Sequence, residues 1–322
     1  MSETNNPMID TPVNTMLLRM SAPISLGMLS TFLFQIVDTY FVGQLGSPEL
    51  AVLAYSATVY LVFVSVFMGL SVGVSSVVAK AAGAGQTSRA QGVAVVALVA
   101  VIILSVVLSG LGYLYIDPTF SALGAESALL PLISEYMQIL YLSFPFLMLG
   151  IVGSGAVRAI GVTKETEIIF ATAGVINLVF DWLLIFGHGP FPALGLAGAA
   201  YATALSFVFI FIGVMVIMFK HGLLGLGHVK QGLSGLREIL RFSVPTISMQ
   251  ILVPATAMFI TFLLSGFGSE AVAAFGVAIR IEALALIGIF AVSMSLTPFI
   301  AQNFGAGEHD RIDQAVVFGG KA

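Results

Sequence analysis

Eight uninterrupted apolar runs, each of roughly 18 residues or more and so long enough to cross the hydrocarbon of a bilayer as a helix, dominate this chain. They cover residues 22–42, 50–79, 92–116, 136–156, 168–187, 194–219, 243–267 and 271–301. A water-soluble fold cannot accommodate them, because only 9% of the 322 residues are charged, against about 25% in ordinary soluble domains. Disorder, coiled coil and nucleic-acid binding are excluded on the same ground. The expected fold is therefore all-α, a polytopic helical membrane protein whose solvent is the lipid bilayer. The first run is not a cleavable signal peptide, since residues 1–14 contain Glu3 and Asp10 but no basic residue and the run is too long.

Orientation follows from the basic residues. If the runs alternate in direction, Arg19, Lys80, Arg89, Arg158, Lys164, Lys220, Lys230, Arg237, Arg241, Arg311 and Lys321 lie at or near one side. The opposite connections, around Glu49, Asp117 with Glu126, His188 and Glu270, carry no Lys or Arg. The positive-inside rule then puts the N-terminus in the cytoplasm of a multi-pass protein of the cell (inner) membrane. A missed or invented span would scramble that segregation.

The chain also repeats itself. In one ungapped register Leu18-Arg19-Met20-Ser21-Ala22-Pro23 matches Leu240-Arg241-Phe242-Ser243-Val244-Pro245, Gly46-Ser47 matches Gly268-Ser269, Gly83-Ala84-Gly85 matches Gly305-Ala306-Gly307, and Arg89 matches Arg311. The unit holds six spans, an even number, so the copies run parallel about an axis along the membrane normal, an organisation found in transporters. The expected domains are a cytoplasmic tail (1–15), a complete six-helix lobe (16–220), a cytoplasmic linker (221–236) and a partial second lobe (237–322). That second lobe is limited to about two helices and the start of a third, which reads as a truncated chain. The Gly-Ala-Gly segments lack the Lys-Ser/Thr of a nucleotide-binding loop and are expected to be tight turns.

Acidic residues inside a span cost about 2.5–3.5 kcal/mol on insertion scales, which makes them functional candidates. Asp38 in the first span and Asp181 in the fifth lie at one depth, roughly 6–9 Å inside the outer ends of their runs. Thr31, Gln35 and Asp38 share a stripe of the first helix, and Asn177 and Asp181 share a face of the fifth. Thr203 in the sixth span reaches a similar depth. Together they offer oxygen ligands for a proton or Na⁺; the alternative for Asn177 and Thr203 is plain interhelical hydrogen bonding. Thr31, Gln35 and Tyr136 are candidates for lining a cavity, with an interfacial aromatic belt the competing reading of Tyr136. Arg280 and Glu282 are intramembrane charges that do not face each other on a helix. With no Cys and four scattered His, neither a resident metal site nor a catalytic triad is visible, no cofactor is called for, and the chain does not read as an enzyme.

Pro23 with Asp38 and Gly43-Gln44-Leu45-Gly46, Asn177-Leu178-Val179-Phe180-Asp181, Gly195-Leu196-Ala197-Gly198-Ala199-Ala200-Tyr201-Ala202-Thr203, and Gln302-Asn303-Phe304-Gly305-Ala306-Gly307 resemble, in this order, the multidrug and toxic compound extrusion (MATE) family. The resemblance implies twelve helices in two lobes around an alternately open cleft. It implies antiport of organic, often cationic and lipophilic compounds against H⁺ or Na⁺. It carries Asp38, Asn177, Asp181 and Thr203 over as the ion-coupling cluster and Pro23 as a bending point of the first helix. The expected partners are small organic substrates and the lipid bilayer, with no nucleic acid and no obligate protein partner. Two alternatives stand beside this: a lipid-linked oligosaccharide flippase of the same superfamily, and a non-transporting membrane fragment.

Overall fold

A computed structural model, which describes residues 6–267 and 269–321, is entirely helical over its regular elements. A short α1 (Pro7–Asp10) leads into α2 (Val13–Gly43), α3 (Ser47–Gly83) and α4 (Thr87–Leu114). The short α5 (Ile116–Ala122) precedes α6 (Leu130–Ala159), α7 (Lys164–Phe186) and α8 (Leu196–Lys220). A 3₁₀ turn (Leu226–His228) opens α9 (Val229–Ser265), followed by α10 (Ser269–Ala306) and α11 (His309–Gly319). Eight of these helices, α2, α3, α4, α6, α7, α8, α9 and α10, are long and apolar enough to span a membrane, in agreement with the eight apolar runs. In hydrocarbon every backbone N–H and C=O must be satisfied within the segment, which leaves the helix as the only option for such runs.

Helix α6 is the centre of the first bundle, packed against α3, α4 and α8 and buried along most of its length. Small residues let it approach its neighbours: Gly150 receives Ile210 of α8, and Gly155 lies against Ser71 of α3, whose hydroxyl donates to the Ile151 carbonyl at 3.0 Å. An aromatic core of Tyr60, Phe63, Tyr141, Phe144 and Phe207 fills the space between these helices, with the Phe63 and Phe144 rings 4.9 Å apart. Helix α2 is different. It packs chiefly on α7 and, near its N-terminal end, on α10, and most of its surface is open. Pro23 stands inside it and removes one ladder bond, to the Arg19 carbonyl.

Helices α9 and α10 lie against this bundle, α9 on α3 and α4, α10 on α2 and α3. The tight contacts cluster toward the face that carries the basic residues. A Cβ at Gly69 would meet Ile247, one at Gly73 would meet Ser243, and one at Gly92 would strike the His228 carbonyl. The contact of α3 with α10 is reciprocal: a Cβ at Gly83 would land on the Gln302 carbonyl oxygen and one at Gly305 on the Lys80 carbonyl oxygen. Gly83 and Gly305 are matched positions of the sequence repeat, as are Lys80 and Gln302. Toward the opposite face the side chains of Leu252, Phe259, Leu263, Ile281 and Ile289 are exposed.

Two boundaries differ from the sequence expectation. The glycine-rich stretch read as a linker is irregular only to His228; from Val229 it is helix, because Gly232 and Gly235 serve close packing against Gly92 and Val93 of α4 instead of flexibility. Helix α2 starts at Val13, before its apolar run, because Met16, Leu17 and Met20 are buried with Phe299 and Ala315 at the basic face. The two Gly-Ala-Gly segments both turn the chain, with Gly85 and Gly307 in the left-handed region (φ +71° and +82°) that only glycine adopts without strain.

Candidate functional site

The chemistry concentrates on a seam where α2 and α7 run side by side. From the basic face upward, Gly27 meets the Glu167 carboxylate, Phe34 lays its ring on Gly174, Asp38 meets Asp181, and Phe41 packs edge-on against Phe186 at 5.8 Å. Glu167, Gly174 and Asp181 are spaced by sevens and so fall on one face of α7. The two glycines are what allow the helices to close on each other, and that closure brings two acids of different helices together. A predicted outcome follows. Gly174→Val should lower the melting temperature of the detergent-solubilised protein by several degrees, as overpacking of about 1–3 kcal/mol implies. Phe34→Ala in the same chain should restore most of the loss, and simple additivity of the two changes would contradict the seam.

The Asp38 and Asp181 carboxyl groups lie within hydrogen-bonding reach of each other. An ionised carboxylate only accepts, so a hydrogen bond between them needs a proton on one partner. The other oxygens, Asp38 Oδ1 and Asp181 Oδ1, are buried and have no hydrogen-bond partner among the described residues. Asp181 is 0% exposed. The amide of Asn177 ties the acid to α8: with its ends facing complementary groups, the nitrogen donates to Asp181 Oδ2 at 3.3 Å and the oxygen accepts from the Thr203 backbone N–H at 3.3 Å. In the other orientation the amide nitrogen donates to the Thr203 hydroxyl at 3.4 Å. Asn177, Asp181, Thr203 and Asp38 are thus gathered at one place, supplied by α7, α8 and α2.

The remaining candidates separate. Tyr136, at 4% exposure, lies inside the bundle within electrostatic range of Asp38, Asp181 and Tyr60. Thr31 and Gln35 stand on the exposed side of α2, and the Thr31 hydroxyl is engaged by the Gly27 carbonyl at 3.0 Å. The stripe they share with Asp38 is real, but only its Asp38 end turns toward α7. Glu282 is exposed on α10, and the Arg280 side chain lies outside the described residues. No group of three or more His, Cys, Asp and Glu able to hold a metal ion occurs among the described residues.

Two further features belong to the site. Tyr60 of α3 lies within electrostatic range of Tyr136. At the other end of the seam Arg158 of α6, 7% exposed, faces Glu167 with Nη1 3.6 Å from Oε1. The spacing of Glu167 from Asp181 on one helical face is the sequence signal for that second carboxylate. One residue beyond Asp181, the Trp182 indole stacks on the His188 imidazole with ring centroids 4.1 Å apart, and His188 Nδ1 lies 3.0 Å from the Trp182 carbonyl.

Known proteins resemble this chain in sequence and fold. The MatE family model matches residues 23–183 and 245–320. The chain is 37% identical over 316 residues to a protein of Shewanella oneidensis named FAD transporter, covering 96% of this chain and 69% of that one. It is 25% identical over 301 residues to the multidrug export protein MepA of Staphylococcus aureus, covering 92% of this chain and 66% of MepA. Among solved structures, the MATE transporter VcmN of Vibrio cholerae superposes with a TM-score of 0.90 at 29% identity, over 94% of this chain and 69% of VcmN. A MATE transporter in an outward-facing conformation gives a TM-score of 0.88 at 26% identity, over 98% of this chain and 70% of that one. The chain spans about two thirds of the length of these relatives. It is a multi-pass membrane protein belonging to the MATE family, whose members are transporters and not enzymes.

Proposed function

We propose that this chain is the part of a secondary exporter that holds the coupling-ion site, and that Asp38 and Asp181 bind the H⁺ or Na⁺ whose entry drives an organic solute out. One observation carries the reading: the fully buried Asp181 meets the half-buried Asp38 of another helix in the membrane interior, and each has a buried carboxylate oxygen left unpaired. Burying such charge without a use is costly. Loading a cation onto the pair removes charge from the α2–α7 seam. Helix α2, lightly packed and interrupted at Pro23, is the element free to respond. In this reading the basic face is cytoplasmic, and the repeats are parallel about an axis between α3 and α10, as the reciprocal Gly83 and Gly305 contacts support. The tight basic face is that of a carrier closed on that side. A proton entering across 100 mV supplies about 2.3 kcal/mol, with about 1.4 kcal/mol more for each pH unit.

The cargo in this reading is an organic cation or neutral lipophile, since the apolar runs hold no basic residue but Arg280. A second reading rests on the Shewanella oneidensis relative: at 37% identity, its named cargo makes a flavin dinucleotide the competing substrate. The test is uptake into inverted membrane vesicles, or efflux from cells, containing the protein, comparing a cationic dye with FAD under imposed H⁺ and Na⁺ gradients. Dye movement that follows one ion gradient is expected. Gradient-driven FAD movement without dye movement would transfer the assignment to the second reading, and movement of neither would overturn both.

A further inference from the structure

We propose that Arg89 and Arg311 are a matched pair of clasps holding the basic face shut, each gripping the approach to the first helix of the other repeat. The inference rests on the alternating-access reading above and adds the parts that must let go. The two arginines occupy matched positions of the repeat, each in the third position of the helix that follows a Gly-Ala-Gly turn, α4 for Arg89 and α11 for Arg311. Each reaches across to the other half of the molecule. Arg89 Nη2 lies 3.0 Å from Glu238 Oε2 on α9, and Lys80 Nζ takes the other carboxylate oxygen at 2.7 Å. Arg311 Nη2 donates to the Thr11 carbonyl at 2.6 Å and the Met8 carbonyl at 3.2 Å, in the segment that enters α2.

Asn303 completes the second clasp. Its Oδ1 accepts from Arg311 Nε at 2.8 Å and its Nδ2 donates to the same Met8 carbonyl at 3.2 Å. Met8 is fully buried and also packs near Gly161, in the turn between α6 and α7, so α1 is a strap with one side on the first bundle and the other on α10 and α11. Helices α2 and α9 begin the two copies of the repeat, and both must part from the opposite copy if the basic face is to open.

The clasps match in position but differ in chemistry. Glu238 faces two cations, and the Lys80 and Arg89 side chains are 40% and 33% exposed, so salt screens this clasp. Arg311 holds neutral oxygens, in contact with the buried Met8 and Asn303, which salt weakens far less. The Arg89 clasp is accordingly the one that yields first.

The chain contains no cysteine, so a single reporter thiol has no background. Ser243→Cys places one at a fully buried site on α9 against Gly73, inside the closed face, and Ala200→Cys places a control at a fully buried site in α8. Protein in nanodiscs is treated with a water-soluble maleimide. Arg89→Gln and Arg311→Gln are each expected to raise the labelling rate of the α9 reporter thiol at least fivefold while the control stays unchanged. Salt at 0.5 M should raise the rate in the parent and in Arg311→Gln, and by less in Arg89→Gln, where only the Lys80–Glu238 pair is left to screen. Unchanged labelling in both variants would overturn the proposal. A parallel rise at the control would also overturn it, by showing that the arginines hold the fold and not a gate. Because labelling needs neither cargo nor ion gradient, its outcome is separable from failure of the export assay.

Discussion

Replacing either acid of the buried pair, Asp38→Asn or Asp181→Asn, is expected to lower ion-driven export at least tenfold at equal membrane abundance. An amide keeps the shape of the carboxyl but can neither carry the charge nor take up and release the proton. The two acids lie within hydrogen-bonding reach of each other and would act as one unit, so the double substitution should cost little more than either single one. Asn177→Ala should cost less than either, since its amide positions Asp181 and reaches Thr203 without itself titrating. The measurement is the initial rate of cargo efflux under an imposed gradient, with abundance fixed by immunoblot. Export within twofold of the parent in both single variants would remove the pair from the mechanism.

The second large effect concerns the crossing of α3 and α10. Gly83→Val and Gly305→Val should each reduce export at least about fivefold, and each by a similar amount, because their Cβ atoms would fall on matched backbone carbonyls, Gln302 and Lys80. Backbone cannot rotate away as a side-chain tip can, so the helices must separate, at a cost of about 1–3 kcal/mol. That shifts a two-state carrier about fivefold to 150-fold away from the conformation closed at the basic face. Gly85→Ala is the informative companion: nothing stands within 4 Å of a Cβ there, but the positive φ makes the change one of backbone strain alone. If Gly83→Val exports normally, or only one of the two matched valines has an effect, the reciprocal contact is not part of the working cycle.

The eight spans could be read from the sequence because hydrocarbon leaves an apolar run little choice, and Asp38 and Asp181 stood out because charge at that depth is costly. Shared depth was enough to suggest that the two acids meet. Periodicity also grouped Thr31 and Gln35 with Asp38 but could not say which flank of α2 faces α7; the structure turns them outward. Helix ends were less legible, since Val13 and Val229 start their helices through contacts with distant residues and not through local hydropathy. The linker expectation failed for a related reason: glycine signals either freedom or close approach, and only the presence of Gly92 opposite Gly232 decides between them. Glu167 was passed over because it sits at the mouth of its run, where a carboxylate is cheap, and its opposition to Arg158 depends on the turn between α6 and α7.

The stacked pair beyond Asp181 has an optical consequence. The chain contains one tryptophan, so all of its indole emission originates at the last turn of α7, one peptide bond from the acid. The imidazole 4.1 Å away makes that emission sensitive to any change in ring overlap. Adding protons or Na⁺ to the unlabelled protein and watching a single native fluorophore would therefore follow occupancy of the acid pair in real time, without a dye, a tag or a cargo.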